Sequence, residues 1–375
     1  MGSFGMESEK LEIFEVGPCK DSYEMGFLIG QRFSQRIKNR VDADTILQNQ
    51  LRPFAQTPQS ESLLKVLFDN NQRKFPLYWD ELLGTAAGSG VPLLDILLIN
   101  FKKEILAFVP KEGAKSNIED DSSNECSSVL VVGESMAIVA HNEDANVNLV
   151  GHTYLIKAIL PNGLFFVGYT YAGELPSSAF AFNSNGLAFT LNSVPPAEDE
   201  IVAGGIGRNF ISRGILEATG IDDAINRIRS SEVSVGHSYN LIEISTRKIV
   251  NVETASNKRI SIHEVGETPF FHANMYRHLH INQAQDESSI SRLKRANVMR
   301  KTTKDDFLSI LGDADDKKNP IYMTGPSLHT LCTAVIDLDK QTLSIIEGNP
   351  KKGDVSIVFP LSPKKLINGQ HDNHL

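Results

Sequence analysis

The hydrophobic period of the sequence changes at Cys126, and this change restricts the possible folds more than any other feature. Between Asp21 and about residue 108, apolar residues recur at helical spacing. After Cys126, short apolar runs alternate with turn residues, which predicts antiparallel hairpins beginning with 128–132 and 136–140. Helical spacing returns only locally, at 208–219, 222–230, 291–301 and 304–311. The sequence therefore predicts a layered α+β fold with an α-helical N-terminal segment.

The other predicted strands are short runs of apolar residues bounded by turn residues, at 154–160, 164–170, 179–182, 187–191, 239–244, 248–253, 330–338, 342–347 and 355–360. A polar stretch, 111–125, separates the helical part from the hairpins. Such a composition is most often an ordinary exposed loop. The alternative is a linker that can be cut.

The composition favours a soluble protein that acts on small molecules. With 375 residues, 41% of them hydrophobic, the chain can bury a large core, and we predict one domain. Its net charge is −9 and no run of Lys and Arg exceeds two residues, so neither a nucleic-acid nor an anionic-membrane partner is expected. The three cysteines, Cys19, Cys126 and Cys332, suit neither a disulfide framework nor a metal motif. A cytoplasmic location is predicted, and the C-terminal tripeptide 373–375 is a distant likeness of a peroxisomal signal.

Cys126 is the candidate nucleophile, because it stands directly after the polar stretch and opens the first strand after it. If the Glu125–Cys126 peptide bond were cut, Cys126 would carry a thiol and a free α-amino group. An α-amino group titrates near pH ~7.7–8.0 and a thiol near ~8.5, so the amine could accept the thiol proton at neutral pH. This is the logic of an N-terminal nucleophile. A half-buried strand cysteine is the alternative for Cys126 considered alone.

Two asparagines are candidates for the oxyanion donor that an acyl-transfer reaction needs. Asn192 ends one apolar strand, and Asn274 follows the run 270–273. A side-chain amide donates a hydrogen bond without competing for the reacting proton. Asparagines that cap turns are the structural alternative for both.

Histidines offer a different base for the thiol. A polar cluster, 141–146, lies in the strand predicted to pair with that of Cys126. His141, His272 or His329 could form a Cys–His dyad, and their spacing favours none of them. The group 272, 278 and 280 lacks a cysteine or carboxylate at metal-ligand spacing, so no metal and no other cofactor is predicted.

A set of motifs runs in order over most of the chain: 22–26 with Gly30, 75–81 with Gly84, 125–128 followed by Asn142 and Asp144, 182–184 with Gly186 and Asn192, Arg213 with 216–217, and 272–274. Together these motifs resemble the acyl-coenzyme A:6-aminopenicillanic acid acyltransferase family, the C45 group of self-cleaving cysteine peptidases and amidases. The resemblance implies an N-terminal-nucleophile αββα sandwich. It implies a precursor that cuts itself between Glu125 and Cys126 into an α chain, 1–125, and a β chain, 126–375, which together form one domain.

The resemblance also implies roles for single residues. Cys126 would be the nucleophile of self-cleavage and then of catalysis, and Asp144 would orient the new amino terminus. Asn274 would help to build the oxyanion hole, and Asn192 would lie near the nucleophile. The implied substrate is a small N-acyl amide, possibly with acyl-CoA as acyl donor, and the acyl group would pass to water or to an amine.

Two other functions stay open at this point. The family usually has glycine before the cysteine, whereas this chain has Glu125, and this difference motivates an unprocessed, non-catalytic binding protein on the same fold. A papain-like cysteine protease is the third hypothesis. It would place the nucleophile at the start of a helix, whereas Cys126 opens a predicted strand.

Overall fold

Two β-sheets lie face to face at the centre of the fold, and helices cover the outer face of each. The computed structural model describes residues 11–110, 126–176, 178–284 and 286–361. The described strands are β1 Glu12–Val16, β2 Cys126–Val132, β3 Ala137–Asn146, β4 Thr153–Ile159, β5 Phe165–Tyr171, β6 Phe180–Asn183, β7 Leu187–Ser193, β8 His237–Glu243, β9 Lys248–Ala255, β10 Arg259–Glu264, β11 Phe270–His272, β12 Leu328–Asp337, β13 Thr342–Ile346 and β14 Val355–Pro360.

The described strands divide between an eight-stranded sheet and a six-stranded sheet. The order in the first is β1-β4-β5-β6-β7-β8-β9-β10, and the order in the second is β11-β2-β3-β12-β13-β14. Every pairing is antiparallel apart from β1 with β4. The strand of Cys126 is therefore an inner strand of the six-stranded sheet.

Helices form the two outer layers. The described α-helices are α1 Ser22–Arg32, α2 Ser34–Ala43, α3 Arg52–Ala55, α4 Pro58–Lys74, α5 Pro76–Ser89, α6 Leu93–Asn100, α7 Lys102–Leu106, α8 Arg208–Ile215, α9 Ile221–Arg229, α10 Glu287–Val298 and α11 Lys304–Leu311. Helices α1–α9 share one apolar core with the eight-stranded sheet, whereas α10 and α11 share another with the six-stranded sheet. A third core fills the space between the sheets. This order of layers confirms the αββα sandwich.

The predicted elements agree with this architecture, apart from their ends and three strands. β3 continues through the polar cluster 141–146, which the sequence placed at a strand end. β1 and β10 were not predicted, and the run before Asn274 contains the short strand β11. These strands exist because of their partners: β1, for example, lies beside β4, more than a hundred residues further along the chain.

Close packing of α1 against α5 accounts for the first two family motifs. A Cβ atom at Gly26 would lie 1.9 Å from the carbonyl oxygen of Glu81, and one at Gly84 would lie 2.1 Å from that of Tyr23. Only glycine permits backbones to approach this closely. These motifs therefore position the helical layer and supply no group to a site.

The predicted α chain is interleaved with the predicted β chain. β1, from the first 125 residues, forms the edge of the eight-stranded sheet beside β4. Helices α1–α7 pack on the same sheet. The predicted linker 111–125, with Glu125, and the C-terminal tripeptide lie outside the described residues. Within the described ranges, no helix is long and apolar enough to cross a membrane.

Candidate active site

The hairpin of β2 and β3 places Cys126 opposite Glu143 and Ser128 opposite His141. Because side chains alternate between the faces of a strand, these four side chains project into the space between the sheets. All four are buried. Asp144, next to Glu143 in the chain, projects to the other face, where its carboxylate contacts Thr330 of β12.

The Cys126 thiol is buried beside a carboxylate. Its Sγ lies 3.3 Å from Oε2 of Glu143, and the hydroxyl of Tyr171 donates to the other oxygen of the same carboxylate. Burial raises the pKa of the Cys126 thiol well above its usual value, and the charges of Glu143 and Asp144 raise it further. The thiol therefore needs a base before it can react.

A line of hydrogen bonds connects this carboxylate with the opposite sheet. His141 Nε2 lies 3.2 Å from Glu143 Oε2, and His141 Nδ1 lies 2.9 Å from the hydroxyl of Ser128. That hydroxyl donates its single proton to Oδ1 of Asn192, at 2.9 Å. Ser128 therefore accepts from Nδ1 of His141, so Nδ1 carries a proton, and the Nε2 atom faces Glu143.

Asn192 is oriented by two further asparagines. Asn251 donates to Oδ1 of Asn240 at 2.8 Å, and Asn240 donates to Oδ1 of Asn192 at 3.2 Å. The carboxamide oxygen of Asn192 thus receives two donors, while its buried Nδ2 has no hydrogen-bond partner among the described residues. A buried amide donor without a partner is uncommon. The Nδ2 group of Asn192 can therefore donate a hydrogen bond to an oxyanion.

The backbone of Cys126 is held separately from its thiol. Its N–H donates to Oδ1 of Asn274 at 2.7 Å, and its carbonyl oxygen accepts from Arg292 at 3.0 Å. The fully buried Arg292 also donates to Oδ1 of Asn274 at 3.0 Å and to the hydroxyl of Ser127 at 2.9 Å. Asn274 directs its own Nδ2 to the carbonyl oxygen of Ser193. In this arrangement Asn274 fixes the backbone nitrogen of Cys126.

A buried carboxylate holds the segment that carries Asn274. Glu253 accepts from the backbone N–H groups of 277–279 at 2.7, 2.9 and 2.8 Å, and His272 Nε2 lies 3.4 Å from it. Burial alone would raise the pKa of Glu253, but these hydrogen bonds lower it to about 2. His272 is therefore a support for this segment rather than a partner of the thiol.

Asp144 meets Cys126 through its backbone. The backbone N–H of Asp144 hydrogen-bonds the Cys126 thiol, while its carboxylate accepts from the Thr330 hydroxyl at 2.5 Å. The neighbouring Asn142 is fixed by α11, since its Nδ2 donates to the carbonyl oxygen of Leu311 at 2.8 Å. Asn142 thus attaches β3 to the outer layer, whereas Asp144 attaches it to the neighbouring strand β12.

The structure brings some of the sequence-predicted residues close to Cys126 and leaves others apart. Asn274 and the backbone of Asp144 contact Cys126 directly, whereas Asn192 is linked to it through Ser128, His141 and Glu143. His329 lines a separate cavity of about 160 Å³.

Three groups near Cys126 were missed: the carboxylate of Glu143, the hydroxyl of Tyr171 and the guanidinium of Arg292. Glu143 lay within the predicted polar cluster. A strand continued to Asn146 would have placed it on the face of His141. No local pattern distinguishes Arg292 from the other basic residues of its helix.

Comparisons with known proteins identify the family. Residues 131–352, more than half of the chain, match the family described as acyl-coenzyme A:6-aminopenicillanic acid acyl-transferase. The beta-alanyl-dopamine/carcinine hydrolase of Drosophila melanogaster is 25% identical over 368 residues, covering 90% of this chain and 94% of that protein. The crystal structure of a mutant conjugated bile acid hydrolase from Clostridium perfringens matches with a TM-score of 0.37 and 10% identity, covering 63% of this chain and 92% of that one. By its family match, this chain belongs to the acyl-coenzyme A:6-aminopenicillanic acid acyltransferase family, whose members hydrolyse amides or transfer their acyl groups.

Proposed function

We propose that this protein is a cysteine N-terminal-nucleophile amide hydrolase or acyltransferase, formed by self-cleavage before Cys126 and acting through an acyl-Cys126 intermediate. One observation carries the proposal. The nitrogen, the carbonyl oxygen and the thiol of Cys126 each have a different buried partner, Asn274, Arg292 and Glu143. In an ordinary strand residue the backbone nitrogen and carbonyl oxygen pair with the backbone of a neighbouring strand, whereas in Cys126 both pair with side chains.

Self-cleavage requires a base other than the α-amine, because that amine does not exist in the intact chain. Glu143 is our candidate, since its Oε2 lies 3.3 Å from the thiol. Sγ attacks the carbonyl carbon of Glu125 and the thiol proton moves to Glu143. The bond between that carbon and the nitrogen of Cys126 then breaks, and the proton returns to the nitrogen. Water hydrolyses the resulting thioester, which frees the thiol and the carboxyl group of Glu125.

The same thiol would then act on substrates. The α-amino group takes the thiol proton, Sγ attacks the amide carbonyl, and the amine leaves with that proton. The buried Nδ2 of Asn192 is the proposed donor to the oxyanion, because it is oriented and unpartnered. Asn274 would keep the α-amine in place through its Oδ1, and Asp144 would contribute to its orientation from the other face of β3. Water or an amine accepts the acyl group in the last step.

The substrate we propose is a small N-acyl amide. The relative from Drosophila is named for beta-alanyl-dopamine and carcinine, which are both β-alanyl amides, so these are the first compounds to assay. Acyl-CoA is the corresponding donor for the transfer reaction, as the family description indicates. We favour hydrolysis, because water competes with every other acceptor.

The fold is compatible with two chains made from one precursor. After cleavage, β1 would remain hydrogen-bonded to β4, and helices α1–α7 would remain packed on the eight-stranded sheet. The two fragments would therefore stay together under native conditions and separate only on denaturation.

Intact mass under denaturing conditions tests the proposal. We expect the wild-type protein to give two fragments that meet at Cys126, and Cys126→Ala to give one chain. Cys332→Ala is the matched control, since Cys332 is another buried cysteine of the same sheet, and it should cleave normally. A single chain in every sample, together with no hydrolysis of β-alanyl amides, would refute the proposal and favour the unprocessed binding protein.

A further inference from the structure

The side chains around the nucleophile also match the ligands of a transition metal. We propose that Cys126, His141 and Glu143 form a binding site for a thiophilic divalent cation of the Zn²⁺ type. The three residues are buried, and one ligand atom from each lies within 4.8 Å of the other two. No spacing in the sequence indicates such a site, because the three residues meet only through the pairing of β2 with β3.

The distances suit a tetrahedral ion. With bonds of about 2.3 Å to sulfur and about 2.0–2.2 Å to nitrogen and oxygen, the ligand atoms of a tetrahedral zinc site are about 3.4–3.6 Å apart. In this structure Sγ of Cys126 is 3.3 Å from Oε2 of Glu143, and that oxygen is 3.2 Å from Nε2 of His141. The sulfur–nitrogen separation is no more than 4.8 Å and would need to close by at most about 1.2 Å. Two of the three distances between ligand atoms are therefore already close to those of a tetrahedral zinc site.

Neighbouring hydrogen bonds hold His141 and Glu143 in orientations that suit metal binding. The hydrogen bond from His141 Nδ1 to Ser128 leaves Nε2 as the coordinating atom. Metal-bound histidines typically donate their other ring N–H in this way. Tyr171 donates to the second oxygen of Glu143, which leaves Oε2 directed at the thiol.

The chemistry of the ligands selects the class of ion. One thiolate and one carboxylate together balance the charge of a divalent cation, so a buried complex would be neutral. Sulfur and imidazole nitrogen favour Zn²⁺ and its neighbours over Mg²⁺ and Ca²⁺, which prefer oxygen ligands. Three protein ligands leave one tetrahedral position for water.

The bound ion would occupy the nucleophile and its base together. If the proposed function is correct, Zn²⁺ therefore inhibits both self-cleavage and turnover by holding the sulfur of Cys126. The binding site itself does not depend on that function, since it requires only the three side chains of the folded protein.

Cobalt substitution tests the site directly. The full chain, freed of metal with a chelator, is titrated with Co²⁺ until its absorbance is constant. We expect one Co²⁺ per chain, a thiolate-to-cobalt charge-transfer band and the intense visible bands of a tetrahedral ion. Cys126→Ala should abolish the charge-transfer band, and His141→Gln or Glu143→Gln should weaken binding by about tenfold or more.

Matched variants separate this site from other thiols. Cys19→Ala and Cys332→Ala remove the other two buried cysteines and should keep the charge-transfer band unchanged. Zn²⁺ should raise the melting temperature of the wild type and not that of Cys126→Ala, which also controls for loss of folding in the variants. The proposal is overturned if the wild type gives no charge-transfer band, or if the band survives in Cys126→Ala. Intact mass of the metal-free protein reports the proposed function separately: a chain that binds cobalt but does not cleave itself after the chelator has removed all metal would refute that function alone.

Discussion

Replacement of Glu253 by glutamine tests whether one buried carboxylate holds the segment that carries Asn274. Glu253 is fully buried at the end of β9 and accepts hydrogen bonds from three backbone N–H groups, those of 277–279. Glutamine keeps the size of the side chain, but it has no charge and presents an NH₂ group to donors. We therefore expect the segment to loosen and the N–H of Cys126 to lose a fixed acceptor.

The size of the effect follows from the pKa of Glu253, which is about 2 in the folded protein against an ordinary value of 4.5. A difference of this size contributes about 3 kcal/mol to the free energy of unfolding at neutral pH. The pKa of Glu253 is lower in the folded protein than in the unfolded one. Its contribution to the free energy of unfolding is therefore fully present above the ordinary pKa and is lost as the pH falls toward 2. Linkage leaves about 1 kcal/mol of it at about pH 3.

Urea unfolding at about pH 7 and about pH 3, followed by circular dichroism, measures this contribution. We expect Glu253→Gln to be less stable than the wild type by about 3 kcal/mol at the higher pH and by about 1 kcal/mol at the lower one. Glu264→Gln, at an exposed position at the end of β10, is the control and should change stability by less than about 0.5 kcal/mol. A difference for Glu253→Gln that is the same at both pH values would refute the assignment.

Other substitutions test the site and its support. Glu143→Gln cannot take the thiol proton, so we expect self-cleavage, followed by intact mass, to slow by about 10² or more; a rate within about twofold of wild type would contradict the role of this base. Asn192→Ala should lower kcat by about 10²–10³ with little change in KM, and steady-state kinetics that show only a higher KM would remove it from the oxyanion site. Arg213→Met leaves the buried Glu81 without its guanidinium partner at 3.0 Å, and urea unfolding should show a loss of about 3–5 kcal/mol. Because burial already raises the pKa of Glu81 to about 7, adding Glu81→Gln should recover part of that loss, and no recovery would contradict the ion pair.

The hydrophobic pattern alone determined the α+β class and where the helical and strand regions lie. Helical spacing before Cys126 and strand spacing after it arise from contacts within a few residues, so local patterns predict them. The family motifs added the αββα sandwich. Strands such as β1 and β10 were missed because an edge strand is short and is stabilised mainly by its neighbour in the sheet.

The sequence also indicated Cys126, Asn192 and Asn274, since each stands at a recognisable place beside an apolar strand or in a motif. Only the tertiary structure decided what touches them. The pairing of β2 with β3 aligns Glu143 with the thiol, and the packing of α10 brings Arg292 to the carbonyl oxygen of Cys126, 166 residues away in sequence. Local patterns record which face of an element is apolar, whereas the partner of a buried polar group depends on the register and packing of distant elements.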